Sequence, residues 1–502
     1  MIAYKIWAVV CLIIYFAVLL ALSLRKPKKD KGSESEEDFF LAGRSFPHWA
    51  LSLTFVASWF GGSSAVVSID QAFEQGISAW WIIGSPSVLA ALVLVFFAKF
   101  IRNVGSISQR HIMERRYGKT AGVLVSVIVI WYMITFAASQ TVSLGKFFSS
   151  MFDTTYFVAI LIGVVIVALY SSIGGFRAVV ISDNIQFISF VLGLIILMVV
   201  AVSNADGFSN IFAITDMPGR EDHLDFFANF KTNFFYMLSF GLAWIISADA
   251  WQRLAATKNA KEAKMMPLGG LFIFIPLYIF VAIIGVAAGV IYTEMPEEGI
   301  VAALTLDFLG PVLGMVVFLG IASAILSTMS SAVNSGALYV SDFYLSYINS
   351  NAREKDIRKI GAIATVSISI VAMIIALRIP DTLWVLWLSS DILAVGVLVP
   401  LLACFLWKRA TSIGAVSAII IGSSFVLYNF MIDLGVKLPY FWPIGTVRIL
   451  IGMIISLAVF IIVSLLTKPE YEKADEFRKA AYGGEVEEIE PELNPSVKEA
   501  SI

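Results

Sequence analysis

Long apolar segments dominate this chain of 502 residues, and they constrain its fold more than any other feature. A helix needs about 20 apolar residues to cross the hydrocarbon core of a bilayer. Because lipid offers no hydrogen-bond partners to the backbone, such segments must be helical. We therefore predict an all-α integral membrane protein with about 13 transmembrane helices, at residues 5–24, 47–75, 78–103, 120–149, 155–173, 177–203, 233–254, 267–292, 311–347, 357–378, 382–407, 412–433 and 446–467.

The basic residues between these segments predict the orientation in the membrane. One set of loops, together with the C-terminal tail, holds 28 of the 35 lysine and arginine residues, and the opposite set holds seven. Cytoplasmic loops carry such an excess of positive charge. We expect a multi-pass protein of the cell (inner or plasma) membrane, with its N-terminus outside and its C-terminus in the cytoplasm.

The end of the chain differs in composition from the rest. It contains the acidic run "GGEVEEIEPELNPS" and few large apolar residues, a composition that cannot bury a core. We predict one transmembrane domain over residues 1–468, with a core at about 47–407. A disordered, acidic cytoplasmic tail is expected at residues 469–502.

Composition and residue spacing exclude several function classes. The formal net charge is −2, which gives no reason to expect a nucleic-acid partner. Cys11 and Cys404 lie far apart, and the three histidines are scattered, so we expect no transition-metal site. No nucleophile–base pair stands out, which argues against an enzyme. We expect the lipid bilayer and a small molecule as partners, and no obligate protein partner.

Two of the predicted helices contain helix-weakening residues near their centres. The second, "WALSLTFVASWFGGSSAVVSIDQAF", has the pair Gly61–Gly62, and glycine destabilises a helix. Five helices later, "FFYMLSFGLAWIISADAWQR" carries Ser239, Gly241 and Ser247 in a similar place. Paired interruptions in corresponding positions of two halves are typical of inverted-repeat transporters. The alternative is that these glycines only allow close helix packing.

The stretch "SAILSTMSSAVNSG" at residues 323–336 places polar residues inside an apolar helix. At 100° per residue, four hydroxyls fall within about 60° of Ala324, and further polar groups extend that face. Oxygen-rich faces suit hard cations. Interhelical hydrogen bonding is the alternative use of such a face. The four residues are Ser327, Thr328, Ser331 and Ser335, and the extension consists of Ser323, Ser330 and Asn334.

Two carboxylates lie well inside apolar segments. Asp183 follows a Gly-Gly turn, and Asp391 lies in "LWVLWLSSDILAVGVLVP". A charge at the centre of a bilayer costs at least ~2.5 kcal/mol, so such residues usually face a cavity or a partner. Arg177 is the structural partner that we consider for Asp183. Asp249 and Asp342 are expected near cytoplasmic helix ends, in snorkelling or capping roles.

Four motifs in this chain resemble the sodium:solute symporter family. They are "GGFRAVVISDNIQ", "WQRLAATKNAKEAK", "AILSTMSSAVNS" and "FLWKR", which occur in the family's order and together span about residues 40–410. The resemblance implies the ten-helix (5+5) inverted repeat of the bacterial leucine transporter, with one extra N-terminal and two extra C-terminal helices. It also implies a sodium-coupled symporter that imports a small organic solute by alternating access.

The same resemblance implies sodium ligands. A first site corresponds to the carbonyls of Ala57, Phe60 and Ala324 with the hydroxyls of Ser327 and Thr328. A sialic-acid-transporting member has a second sodium nearby, and its ligands correspond to Asp183, Ser327, Ser330 and Ser331. One Na⁺, or two, is therefore expected as the coupling ion.

The solute itself is less constrained. The resemblance places the solute near Trp59, Gly61, Ser63, Ser64, Trp244, Ser247, Trp387 and Asp391. Sugar-transporting members carry other residues at several of these positions, and proline transporters have an aspartate where this chain has Trp59. Aromatic faces attract cations, which favours an amino acid or an amine-type solute. The alternatives are a carboxylate or sugar-derivative symporter, or a membrane sensor or channel that keeps the fold without transport.

Overall fold

The computed structural model describes residues 2–23, 40–106, 108–348, 354–443, 445 and 447–483. Helices dominate this part of the chain, and it contains no strand. The helices are α1 Ile2–Ser23, α2 His48–Trp59, α3 Ser68–Gln75, α4 Gly84–Val104, α5 Gln109–Tyr117, α6 Lys119–Phe152, α7 Tyr156–Asn204, α8 Phe208–Phe212, α9 Phe230–Ile245, α10 Ala248–Ala255, α11 Ala260–Ile291, α12 Ile300–Phe308, α13 Pro311–Tyr347, α14 Glu354–Arg378, α15 Thr382–Leu393, α16 Val399–Leu406, α17 Ser412–Asp433, α18 Arg448–Leu466 and α19 Tyr471–Tyr482.

The all-helical membrane fold predicted from the sequence is confirmed, whereas the exact number of spans is not. In the described residues, ten helical segments are long and apolar enough to cross a membrane. Shorter apolar helices occur at Val10–Ala21 and Tyr156–Ser172, and one of the ten segments, Ser63–Val104, covers parts of two predicted spans. The count of thirteen stays a prediction.

Helix ends follow local chemistry. The Asn259 side chain accepts hydrogen bonds from the first backbone N–H groups of α11, and Asp381 does the same for α15. At Gly175 the backbone of α7 adopts φ 56° and ψ −161°, so the helix turns there. Glycine tolerates such a positive φ. The turn lies at the predicted boundary between the spans 155–173 and 177–203.

The helices form two packed groups. In one group α11 packs on α2, α3 and α4, and α9 also packs on α4. In the other, α13 packs on α6 and α7, and α14 covers all three. The two groups meet where α2 is interrupted, and α13 contacts α2 there.

Part of the predicted tail forms a packed helix, Tyr471–Tyr482, where the composition predicted disorder, while the boundary between domain and tail at residue 468 stays a prediction. Helix α19 buries Ala474, Phe477 and Ala481, and the Phe477 ring lies 5.4 Å from the Phe405 ring of α16. Its apolar residues recur every three or four positions, as in an amphipathic helix. The prediction of disorder averaged this short segment with the acidic residues that follow it, and so missed the pattern. Residues 484–502 of the predicted tail lie outside the described part.

Candidate functional site

The interruption of α2 frees backbone carbonyls near the centre of the protein. In a continuous helix the Gly61 N–H would donate to Ala57 O, but here it donates to Trp59 O at 3.0 Å. The Ser64 N–H likewise donates to Gly61 O and not to Phe60 O. The carbonyl of Ala57 is thus available to other partners, and the carbonyl of Phe60 leaves the helical pattern.

Two hydroxyls of α13 converge on the freed carbonyl. Ser327 Oγ lies 2.9 Å from Ala57 O, and Thr328 Oγ1 lies 3.0 Å from it. Both hydroxyls also lie near Ala324 O, at 2.9 and 3.2 Å. All four residues are fully buried. The four oxygens therefore form a compact group between the two sets of helices, and Phe60 adjoins it in the chain.

Glycine is required at the interruption because the backbone passes close to two other helices. A Cβ atom on Gly61 would lie 2.5 Å from Thr328 Oγ1 and 2.3 Å from Gln140 Oε1. A Cβ atom on Gly62 would lie 2.2 Å from Ser143 Cβ. The Gly62 N–H donates to Gln140 Oε1 at 2.7 Å, so Gln140 of α6 holds the open turn.

Asp183 of α7 belongs to a second polar group. This group adjoins the first one and includes Ser331, which lies one turn after Ser327 on α13. Asp183 Oδ2 accepts hydrogen bonds from Thr54, from Ser331 at 3.3 Å and from Arg253 Nη2 at 3.0 Å. Asp183 and Arg253 are both fully buried. Arg177, the partner considered from the sequence, instead lies over the Phe46 ring, so that pairing is wrong.

Arg253 was not identified from the sequence. It lies at the end of the predicted span 233–254, and its charge is one of the 28 that the orientation argument assigns to the cytoplasmic side. The structure places it in α10, fully buried, with its guanidinium directed at α2, α7 and α13. The signal that could have found it is the helical phase: Asp249 and Arg253 are four residues apart on a short helix.

The set implied for a second sodium stays a prediction, and its three hydroxyls already take part in hydrogen bonds in this structure. Ser331 Oγ already accepts a hydrogen bond from Arg253 Nη2 at 2.7 Å. Ser330 Oγ donates to Ser327 O of its own helix at 3.0 Å. Asp183 Oδ1 has no hydrogen-bond partner among the described residues, but the charge of the carboxylate is already balanced by Arg253.

Aromatic rings cover the other side of the interruption. The Trp59 ring lies 5.3 Å from Trp244 of α9 and 6.0 Å from Phe274 of α11, centroid to centroid. Ser64 Oγ lies 2.9 Å from Tyr278 Oη. Tryptophan and serine residues that the sequence assigned to solute binding are thus brought together, and Phe274 and Tyr278 join them.

Three buried polar groups in this region lack partners among the described residues: Trp59 Nε1, Trp244 Nε1 and Ser63 Oγ. Unpaired buried polar groups are rare in proteins because each loses its hydration without compensation. Two of the three are N–H donors only. The region can therefore accept a solute that supplies hydrogen-bond acceptors.

Trp387 and Asp391 lie apart from these aromatic rings, in a small separate cavity. Arg448 Cζ lies 4.4 Å from the centroid of the Trp387 ring, and Arg448 also pairs with Asp433. Asp391 accepts a hydrogen bond from Ser239 of α9. Trp387, Asp391, Asp433 and Arg448 all line this cavity. One face of the Trp387 ring is thus covered by an arginine, and its assignment to solute binding stays a prediction.

The second interrupted helix breaks at Ile246 and Ser247, whereas Ser239 and Gly241 lie inside α9. Ser247 accepts a hydrogen bond from Tyr132 Oη at 3.2 Å and donates to Asp249. Asp249 is fully buried next to the break, so the snorkelling role is wrong.

Asp342 also differs from its expected role. It is 3 % exposed and binds the Arg110 guanidinium through both carboxylate oxygens, at 2.6 and 2.7 Å. A buried carboxylate that is paired in this way joins α13 to α5 and does not snorkel to the membrane surface.

Comparison with known proteins identifies the family. A model of the sodium:solute symporter family matches residues 39–422, well over half of the chain. The chain belongs to the sodium:solute symporter family. It is a multi-pass membrane transporter of a small molecule, and not an enzyme.

Members of this family with different solutes resemble the chain about equally. It is 26% identical to the sodium/glucose cotransporter of Vibrio parahaemolyticus over 83% of each chain. It is 25% identical to the human high affinity choline transporter 1, over 84% of this chain and 76% of that one. A solved structure of a substrate-bound, outward-open Na⁺-coupled sialic acid symporter superposes with a TM-score of 0.77 at 20% identity, over 92% and 98%. The family and fold are therefore shown, and the solute is not.

Proposed function

We propose that this symporter binds its coupling sodium ion between the interruption of α2 and the middle of α13. The carbonyls of Ala57, Phe60 and Ala324 and the hydroxyls of Ser327 and Thr328 are the ligands. The observation that carries the proposal is the convergence of both hydroxyls on Ala57 O and Ala324 O, at 2.9–3.2 Å.

Hydroxyls suit such a site because they accept as well as donate. Without an ion they donate to the two carbonyls. With an ion they rotate, so that their lone pairs join the carbonyl oxygens around the cation. Neutral ligands also keep binding weak enough for release, which a transport cycle requires.

The ion site links the two groups of helices. Ala57 and Phe60 belong to the group of α2 and α11, whereas Ala324, Ser327 and Thr328 belong to the group of α6 and α13. An ion that bridges them stabilises one relative position of the two groups, which is how sodium binding favours one state in alternating access. An inward sodium gradient drives import into the cell, and the basic loops favour an N-terminus outside and a C-terminus in the cytoplasm.

For the solute we propose a small amino acid. The unpaired Trp59 and Trp244 indole N–H groups match the carboxylate of an amino acid. The cluster of aromatic rings formed by Trp59, Trp244 and Phe274 supports an ammonium group beside it, because aromatic rings attract cations. A quaternary amine without an acceptor leaves the indole N–H groups unpaired, which ranks the amine-type solutes below amino acids.

The direct test is thermal unfolding of the purified chain with a panel of amino acids, amines, small carboxylates and sugars, in sodium or in potassium. We expect an amino acid to raise the melting temperature in sodium only. Thr328→Val should move that stabilisation to a roughly tenfold higher sodium concentration, while Ser335→Ala on the same helix should leave the sodium dependence unchanged. Equal stabilisation in potassium would remove sodium coupling, and stabilisation by a sugar alone would remove the amino-acid assignment.

Uptake into proteoliposomes then separates transport from mere binding. The solute found in the panel should accumulate under an inward sodium gradient and should not accumulate when potassium replaces sodium. Binding without accumulation would favour the sensor alternative.

A further inference from the structure

Helix α19 lies across the boundary between the two groups of helices, where it contacts α4, α5 and α16. We propose that α19 is a strap that holds this end of the molecule closed. It stays attached to α17 and α18, and it leaves α4 each time the two groups separate at this end. Alternating access requires such a separation, because one group moves against the other around a fixed site.

The partners of α19 belong to different groups. Helix α4 packs on α11 and α9 of the first group. Helix α16 is bound to α5, where Tyr117 Oη donates to Pro400 O at 3.2 Å and Arg116 Nη2 donates to Ala410 O at 2.7 Å. Helix α5 in turn packs along α6 of the second group. A helix that touches both α4 and α16 therefore joins the two groups.

The start of α19 is fixed to the second group. Helix α17 packs on α6 and on α18, and residues 467–470 are the whole connection from α18 to α19. Arg409 Nη2 donates to Thr467 O at 2.9 Å, and Ser412 Oγ donates to Glu470 Oε2 at 2.7 Å. Hydrogen bonds in which one partner is charged are stronger than neutral ones. We therefore assign α19 to the second group, with which it moves.

The last turn of α19 rests on α4 through weaker contacts. Asn103 Nδ2 of α4 donates to Ala481 O at 3.1 Å. The Tyr482 ring lies 4.6 Å from the Phe100 ring, centroid to centroid, and Tyr482 Oη donates to Phe405 O of α16 at 3.2 Å. Tyr482 thus lies where α4 meets α16. Neutral hydrogen bonds and aromatic contacts each contribute modestly, so the last turn can leave α4 while α19 stays folded.

The surface beneath the strap is itself a contact between the two groups. The rings of Phe97 and Phe100 of α4 lie 6.1 and 6.3 Å from the Phe405 ring of α16. When the groups separate here, α4 must leave both Phe405 and Tyr482, because α19 is held by α17 and α18. The strap therefore adds contacts to the closed state that the open state lacks, and such contacts shift the population toward the closed state.

The test is a set of distances between spin labels, measured by double electron–electron resonance on the full chain. One label is attached at Lys479→Cys of α19, and a second at Lys264→Cys of α11 or at Lys359→Cys of α14, all exposed positions. The native cysteines are removed by Cys11→Ala and Cys404→Ala. Sodium and potassium are both used, because sodium favours one state of the symporter.

The two pairs of labels should behave differently. We expect a short and a long distance between Lys479 and Lys264, because these residues belong to different groups. We expect one distance between Lys479 and Lys359, because α19 and α14 both belong to the second group and move together.

Asn103→Ala is the variant that weakens the strap. It removes the hydrogen bond from α4 to α19, so the ratio of the long to the short distance should rise roughly fivefold. Lys408→Gln is the matched control. It removes an ion pair with Asp475 on the α16 side, where both side chains are about half exposed. Exposed ion pairs contribute little, so this ratio should stay as in the wild type.

Three results would overturn the inference. The first is a single distance between Lys479 and Lys264 that is the same in both ions and in Asn103→Ala. The second is a change in the distance between Lys479 and Lys359, which would show that α19 moves with α4. The third is a wild-type ratio in Asn103→Ala, which would show that the contact with α4 does not hold this end closed.

Discussion

The two interrupted helices expose backbone carbonyls in different ways. At the break after α2, Ala57 O accepts from the hydroxyls of Ser327 and Thr328. At the break after α9, Ile246 O accepts from the Gln109 amide at 2.7 Å, and Ile245 O accepts from the Trp251 indole at 2.8 Å. One break thus meets hydroxyls, and the other meets N–H donors.

This difference is the reason that we propose the first break, and not the second, for the cation. A hydroxyl donates to a carbonyl or turns its lone pairs to an ion, whereas an indole N–H only donates. The oxygen of the Gln109 amide is already bound by Tyr339. Among the side chains that bind these freed carbonyls, the hydroxyls of Ser327 and Thr328 can change from donor to ligand, whereas the Gln109 amide N–H and the Trp251 indole N–H cannot.

The largest expected effect comes from closing the approach at the first break. Gly61→Ala places a methyl group 2.5 Å from Thr328 Oγ1, so α2 and α13 must separate. We expect the sodium affinity to fall by more than about tenfold. Thermal unfolding at a series of sodium concentrations measures this affinity. Gly241→Ala in the second interrupted helix is the control, because its Cβ meets only the flexible end of Leu89 closer than 3.4 Å. An unaffected Gly61→Ala protein would contradict the proposed close packing.

The next effect concerns single ligands. Ser327→Ala and Thr328→Val each remove one hydroxyl, and each should raise the half-saturating sodium concentration roughly tenfold, about 1.4 kcal/mol. Ser335→Ala tests the same face of α13 without touching the site, since Ser335 donates to Gln252 at 2.8 Å. Sodium titrations that coincide for all three variants would remove both hydroxyls from the site.

At the second break we expect changes in stability without changes in sodium affinity. Gln109→Leu leaves Ile246 O unpaired and should cost about 1–3 kcal/mol of unfolding free energy. Trp251→Phe leaves Ile245 O unpaired and should cost about as much. Denaturation and sodium titration of each variant check this, and a shift in half-saturating sodium would show that the two breaks are not independent.

The smallest effect concerns pH at the far end of the first interrupted helix, where His223 packs against α3. His223 Nε2 lies 3.0 Å from Phe73 O of α3, and burial lowers the pKa of His223 below its ordinary value of 6.5; the nearby Arg220 charge lowers it further. The neutral form is favoured on folding, so its contribution is complete above pH 6.5 and is lost as pH falls below that value. The wild type loses melting temperature as the pH falls from about 6.5 to 5, and His223→Gln should reduce that loss by on the order of 1 °C. An unchanged profile would assign the pH dependence to other groups.

Much of the fold was accessible from the sequence because spans, breaks and faces follow from hydrophobicity and helical period. The oxygen-bearing face of α13 and the break at Gly61 were predicted, and both lie at the site. The second break was placed only approximately, since it falls at Ile246 and Ser247 and not at Gly241.

Partners between distant segments were not accessible in the same way. Asp183 and Arg253 are 70 residues apart, and Trp387 and Arg448 belong to helices whose contact depends on packing. A single sequence shows that a buried charge needs a partner but not which of several arginines supplies it. The sodium and solute sites remain predictions for the measurements above.

The short helix α19 has a practical meaning for engineering this protein. Phe477 packs on Phe405 of α16, and Tyr482 lies 4.6 Å from Phe100 of α4, ring to ring. Fluorescent proteins or affinity tags attached beyond Gly483 leave these rings in place. Truncation before Tyr471 would strip the apolar cover from two transmembrane helices, so expression yields of shortened chains should fall at that boundary.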